Sequence, residues 1–273
     1  MSLVEIGNVA DRRCFTLCDP TISYGLPLAL AGEPIGLNYG YNIICCSTSA
    51  LASENKTLAF PSVCDNIPTK ANQEDHVSMA PWAARKAQLD TFRLGLRCAA
   101  ELGAGCVGTE TTLFSGPEQE RPAAYDILRR SVDAMLNDAA KLGVTVAVEP
   151  VAAHTLNSPA LAARLLQEFR GGGLAAIFDA VNLLTPARIE TQAALWDEAL
   201  AAFGPDIAAV HVKDAVVKDG ALAPALLGEG VMCYDNIMRW LAQHKPGVAL
   251  LREEIAPETA ARDLAVMRAW AGR

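Results

Sequence analysis

The chain has no surplus of positive charge: lysine and arginine number 23 against 31 aspartates and glutamates, a net charge of −8. Proteins that bind nucleic acid usually carry a basic stripe that neutralises phosphates and releases counterions, so this balance argues against a nucleic acid as the principal partner. The chain also lacks any uninterrupted apolar run of the ~18 residues a membrane-spanning helix needs. The first twenty positions carry Glu5, Asp11, Arg12 and Arg13 where a secretory signal would place an apolar core. A soluble, cytoplasmic protein acting on small molecules is the expectation, with no membrane partner. Its 8 cysteines include no CxxC pair, which argues against a zinc module and for reduced, buried thiols. Gly228-Glu229-Gly230 lacks the full glycine pattern and the following Lys-Ser/Thr of a phosphate loop, so it reads as a backbone turn.

What is present divides into two unlike parts. The length of 273 residues suits either one barrel of ~250 residues or two smaller units. In the first part, Asp19-Pro20, Gly25-Leu26-Pro27 and the Gly32–Gly36 stretch break the chain, and no regular element is expected between Cys18 and Gly40. Tyr41 to Ala59 contains neither Gly nor Pro and suits a buried helix, which Pro61 ends. A polar loop follows from Cys64 to His76, and a second helical stretch begins near Pro81.

Beyond Phe92 the chain settles into alternation. Apolar runs end abruptly in polar residues: Val144 to Glu149, Leu174 to Asp179, Ile207 to Asp214 with His211 inside it, and Val248 to Glu253, with a shorter run from Cys106 to Thr109. Between them lie helical patterns closed by Gly143, Gly171-Gly172-Gly173 and Gly204-Pro205, and opened by Asn157-Ser158-Pro159 and Thr185-Pro186. The polar ends recur every ~30 to 40 residues, the length of βαβ units, which implies a parallel sheet. Carboxyl ends of parallel strands face one rim. Glu149, Asp179, His211 and Glu253 should meet there, with Ala147, Ile177, Ala209 and Leu251 pointing to the same side.

Three carboxylates and one imidazole make a hard, oxygen-rich site suited to one divalent ion, Mn²⁺ or Mg²⁺, with Co²⁺ or Zn²⁺ as alternatives. Such an ion would also keep crowded acids ionised. Taken singly, each acid reads equally well as a helix cap or a surface charge. The recurrence in consecutive units is what favours a site.

Two families are resembled. Gly36-Leu37-Asn38-Tyr39-Gly40, Ala50-Leu51-Ala52-Ser53-Glu54-Asn55-Lys56, Ile67-Pro68-Thr69 and Ala71 to Met79 resemble the histidine and phenylalanine ammonia-lyases, from about Val4 to about Lys86. In that family this loop, which holds Gln73 and Glu74, reaches the active site, and the resemblance implies a role for Glu74 in substrate binding and proton transfer. The family's prosthetic group forms from an Ala-Ser-Gly tripeptide, and none occurs in this chain.

From about Phe92 onward, Val148-Glu149-Pro150, Phe178-Asp179, Val181 to Leu184, His211-Val212-Lys213-Asp214, Leu227 to Gly230 with Tyr234, and Glu253 with Ala256-Pro257-Glu258 resemble the xylose-isomerase-like sugar phosphate isomerases and epimerases. That resemblance implies that Glu149, Asp179, His211 and Glu253 bind one metal and that Glu149 and Glu253 shuttle protons. It also implies a sugar or sugar phosphate as substrate and proton transfer through an enediolate. His154, Asn182 and Lys213 are candidate substrate contacts, with a loop histidine, a turn residue and a solvated lysine as their plainer readings. The four histidines are too few for the trinuclear site of a related endonuclease.

The expected architecture is thus α/β: a partial (β/α) TIM-type barrel of about five parallel strands over 89–273, preceded by a mainly helical and loop segment over 1–88. The chain reads as a chimera. Its open sheet edges would favour homo-oligomers, and a lyase remnant or a non-catalytic fusion protein stay open beside the isomerase reading.

Overall fold

A computed structural model describes residues 4–5, 13–16, 28–30, 33–35, 42–47, 82–253 and 257–272. Its centre is a sheet of parallel strands β6 (Cys106–Glu110), β7 (Thr145–Glu149), β8 (Leu174–Asp179), β9 (Ile207–Val212) and β12 (Ala249–Arg252), hydrogen-bonded in that order. These are the five strands expected, and the family's barrel architecture is present in part.

Helices connect them across the outer face: α1 (Trp82–Glu101) precedes β6, and α2 (Arg121–Ala139), α3 (Pro159–Glu168), α5 (Gln192–Phe203), α6 (Asp235–His244) and α7 (Ala260–Trp270) follow in turn. Short α4 (Ala180–Leu183) sits directly after β8. The local signals act as read. Ser158 caps α3 by accepting from the Leu161 N–H at 3.4 Å, with Pro159 in the first turn. Gly143 adopts φ +66° after the turn that ends α2, a left-handed conformation that favours glycine. Helix α1 runs unbroken through residues 88 and 89.

Period-2 alternation divides the side chains of the sheet into two layers. Val146, Val148, Phe178, Val210 and Val212 face the helices in the main core, where Phe178 meets Trp196 and Phe203 edge-on, with centroids 6.1 and 5.8 Å apart. Cys106, Ala147, Ile177, Ala209 and Leu251 form a second buried cluster on the other face, as the alternation predicts.

The first part of the chain differs from expectation at one place. Asn42–Ser47, inside the stretch read as a helix, is strand β5, antiparallel to β6. Strands β1 (Val4–Glu5) and β2 (Arg13–Thr16) extend the same sheet antiparallel, giving eight strands, and β3 (Leu28–Leu30) and β4 (Glu33–Ile35) form a separate pair within the region expected to lack regular elements. The reason lies in Ile43-Ile44-Cys45-Cys46: a short apolar run bounded by polar residues fits a buried strand as well as a helix, and here pairing with β6 decides. Residues 48–59, the rest of that expected helix, lie outside the described residues.

A further hairpin stands at the carboxyl rim, where β10 (Asp214–Lys218) pairs antiparallel with β11 (Ala221–Ala225). Its two-residue turn is Asp219-Gly220, both at positive φ (51° and 78°), the pairing that matches strand twist. Among the described residues no helix is long and apolar enough to cross a membrane.

Candidate metal centre and active site

The rim residues arrive in register. Glu149 is the last residue of β7 and Asp179 the last of β8, while Asp179 pairs with His211 and His211 with Leu251 across the parallel ladders. Glu253 follows β12, and its N–H donates to the Val212 carbonyl at 3.3 Å. Glu149, Asp179 and His211 are all essentially buried, at 1%, 0% and 1% exposure, so their charges must be compensated inside the protein. One ligand atom from each of these three lies within 4.8 Å of the others, a group able to hold a metal ion.

Each glutamate has one oxygen tethered and the other turned inward. Asn182 Nδ2 donates to Glu149 Oε1, leaving Glu149 Oε2 at 3.1 Å from His211 Nδ1. Lys213 Nζ donates to Glu253 Oε2 at 3.0 Å, leaving Glu253 Oε1 at 3.0 Å from the same imidazole nitrogen. Asp179 divides its oxygens likewise: Oδ1 accepts from the Asn182 N–H at 2.9 Å, capping α4, and Oδ2 lies 2.9 Å from Lys213 Nζ and 3.8 Å from His211 Nδ1. Asp179 is therefore both a helix cap and a member of the cluster.

Asp179 Oδ2 is held by the ion pair with Lys213, while His211 Nδ1 is buried among the oxygens of Glu149, Asp179 and Glu253 without a well-formed hydrogen bond. Buried polar atoms seldom stay unbonded. Three carboxylates gathered around one imidazole are the donors a hard divalent cation takes. The residues present fit such an ion. Burial alone would pull the His211 pKa down, but Glu253 and Glu149 outweigh it and push it up to about 9. Burial pushes the Asp179 carboxyl up to about 6 despite Lys213, with Glu149 and Glu253 adding to the rise. For Lys213, burial opposes the charged form, yet Asp179, Glu253 and Glu149 hold its pKa well above the usual value.

A cavity of about 500 Å³ opens beside the cluster, lined by the loop after β7, the segment around α4, Lys213 and the β10–β11 hairpin. Asn182 and Lys213, the expected substrate contacts, line the cavity and also bond the acids of the cluster. His154 does not line it. Its Nδ1 is buried without a hydrogen bond, 3.8 Å from Glu110 Oε2, and burial draws its pKa down.

Sequence reading missed Glu110, having ended its strand at Thr109. The residue extends β6 by one position and pairs across the ladder with Glu149. Partial burial, then the negative charge of Glu149, raise its pKa to about 7. The available signal was that β6, like its neighbours, ends in an acid. Gln73 and Glu74 lie outside the described residues.

Asp214 closes the rim from behind. Its carboxylate accepts from the N–H groups of Ala215, Gly228, Gly230 and Met232 at 2.8 to 3.2 Å. The Gly228-Glu229-Gly230 turn is wrapped around this acid. A Cβ at Gly230 would stand 2.1 Å from Asp214 Oδ1 and 2.3 Å from the Ala215 carbonyl, so no other residue fits there. Tyr234 donates its hydroxyl to the Lys213 carbonyl at 2.8 Å and fixes the backbone from which Lys213 reaches the acids.

Known proteins resemble the two parts separately. Residues 1–130 match the family model described as aromatic amino acid lyase, and histidine ammonia-lyase from Roseobacter denitrificans is 42% identical over 141 residues, covering 50% of this chain. The chain spans 27% of that enzyme's length. Among solved structures, a D-tagatose 3-epimerase-like protein superposes with a TM-score of 0.60 at 14% identity, covering 73% of this chain and 74% of that one. A xylose isomerase-like TIM barrel protein from Mycobacterium smegmatis, in complex with magnesium, gives 0.55 at 18% identity, covering 72% of each chain. At these identities the likeness is one of fold. The two family matches overlap across 75–130, consistent with a chimera. Residues 75–270 match the model described as xylose isomerase-like TIM barrel, and the chain belongs to that family.

Proposed function

We propose that the chain is a divalent-metal-dependent isomerase or epimerase acting on a sugar by proton transfer through an enediolate. The observation that carries this reading is the disposition of Glu149 and Glu253. Their inward oxygens flank one imidazole nitrogen at 3.1 and 3.0 Å, and the strands they follow, β7 and β12, are separated in the sheet by β8 and β9. Two carboxylates thus approach one point from two sides, as removal of a proton by one base and its return by another require.

Glu149, Asp179, His211 and Glu253 would hold the ion, Mn²⁺ or Mg²⁺ by donor type and Co²⁺ or Zn²⁺ as alternatives. When bound, it supplies Lewis-acid polarisation of a substrate carbonyl. The chain's own groups do the rest. Asn182 and Lys213 each tie down one oxygen of a glutamate, so the other is oriented before substrate arrives. Epimerisation results if the proton returns to the same carbon from the opposite face, and isomerisation if it returns to the neighbouring carbon.

The reading is tested by incubating the full chain with Mn²⁺ and a panel of ketoses and aldoses in D₂O, following loss of carbon-bound proton signals by NMR. Exchange in one sugar, reduced by roughly 10²-fold or more in Glu149→Gln and Glu253→Gln, is the expected result. Exchange of equal rate in both variants would rule out the assignment.

A further inference from the structure

The cavity beside the acids is suited to a particular class of substrate. Its volume of about 500 Å³ lies within the ~300–1,000 Å³ of ligand clefts, and one sugar ring would leave part of it empty. Away from Asn182 and Lys213 the walls are chiefly apolar: Val151 from the loop after β7, Val181, Leu184 and Pro186 around α4, and Leu222 and Pro224 from β11.

The charges point the same way. Lys213 is the one cation among the described lining residues, and its Nζ is committed to Asp179 at 2.9 Å and Glu253 at 3.0 Å. Asp214, also in the lining, spends its carboxylate on backbone N–H groups. Around the rim stand the acids Glu149, Asp179 and Glu253, with Glu110 beside Glu149, a gathering of carboxylates that disfavours a further anion. A phosphate dianion entering here would find repulsion and, among the described lining residues, no free guanidinium or ammonium.

We infer that the substrate is an unphosphorylated polyhydroxy carbonyl compound carrying an apolar substituent, with its hydroxyls at the acid cluster and that substituent between the β10–β11 hairpin and α4. This deepens the isomerase reading and rests on it for the reaction, while the ligand class rests on the cavity. The hairpin becomes the specificity element, because β11 lines the cavity with Ala221, Leu222, Ala223 and Pro224, all of them apolar.

The test is calorimetric titration of the full chain in Mg²⁺ with phenyl β-D-glucopyranoside and methyl β-D-glucopyranoside as non-reacting probes and glucose 6-phosphate as the phosphorylated probe. The phenyl glycoside should bind about tenfold or more tightly than the methyl glycoside, since burying its ring removes apolar surface from water. Glucose 6-phosphate should bind no more tightly than the methyl glycoside. Pro224→Asp, at an exposed position, and Leu222→Asp should each abolish the phenyl preference, with melting curves taken alongside to establish that both variants fold.

Tightest binding of the sugar phosphate, equal affinity for all three probes, or no binding of any would overturn the inference. A parallel melting curve with and without Mg²⁺ separates the two readings. A metal response without phenyl preference sinks the ligand class and spares the metal site, whereas phenyl preference without a metal response does the reverse.

Discussion

His211 carries two opposed demands, because its nitrogen must be unprotonated to ligate an ion but sits between two carboxylates that favour the protonated form. Its pKa near 9 in the metal-free protein, above the ordinary 6.5, gives the sign. Protonation contributes stability that is fully present below about pH 6.5 and is lost as pH rises through 9. The metal-free chain should therefore show a melting temperature that falls across that window. Mn²⁺ should bind with release of a proton, and its apparent affinity should rise about tenfold per pH unit until near pH 9. Titrations at three pH values in buffers of different ionisation enthalpy would check this, and a pH-independent affinity would count against His211 as a ligand. Of the residues around it, Glu149, Asp179 and Glu253 were legible because each ends an apolar run. Glu110 was not, since Thr109 already breaks the apolar pattern one residue earlier. Asn182 was legible only as a candidate; that it tethers Glu149 depends on α4 turning directly after β8, which residue types alone do not show.

At the scale of elements, two buried acids fix the parts that carry the rim. Asp214 gathers the turn over 226–232, and Asp214→Ala would leave the N–H groups of Ala215, Gly228, Gly230 and Met232 without their charged acceptor. Urea unfolding should register a loss of about 3 kcal/mol or more. Arg252, at the end of β12, donates to Asp263 on α7 at 2.8 Å, and both are buried. Breaking that pair by Asp263→Asn should cost roughly 3–5 kcal/mol, and the double variant Arg252→Met with Asp263→Leu markedly less, because no isolated charge is then buried. Equal losses would show that the pair acts through packing alone. Strand and helix positions in this half followed from periodicity and from Gly and Pro punctuation. The β10–β11 hairpin did not, although Asp219-Gly220 is a turn signal, because the run into His211 and Lys213 drew attention to where β9 ends. Asn42–Ser47 was misread because six apolar and small residues carry no period of their own; the neighbouring strand settles their conformation.

For the whole molecule, the open question is how a partial barrel is completed. β5 pairs with the outer edge of β6, and on the far side Cα atoms of β2 and β12 approach within 8 Å, so the eight-stranded sheet bends back toward itself. Shortening the chain to residues 82–273 would expose the β6 edge that β5 now pairs with. Sedimentation velocity should then detect concentration-dependent association beyond that of the full chain. Identical behaviour of both lengths would mean that residues 1–81 do not cover the sheet. β5 lies in the part that only the lyase model matches, and β6 lies where the two matches overlap. The central claim is that four strand-end residues form one metal centre, and it is most directly tested by calorimetric titration of Mn²⁺ into the full chain at pH 8. The account predicts a single saturable site that disappears in Asp179→Asn and is strongly weakened in Glu149→Gln and Glu253→Gln; no binding, or binding unchanged in all three variants, would contradict it.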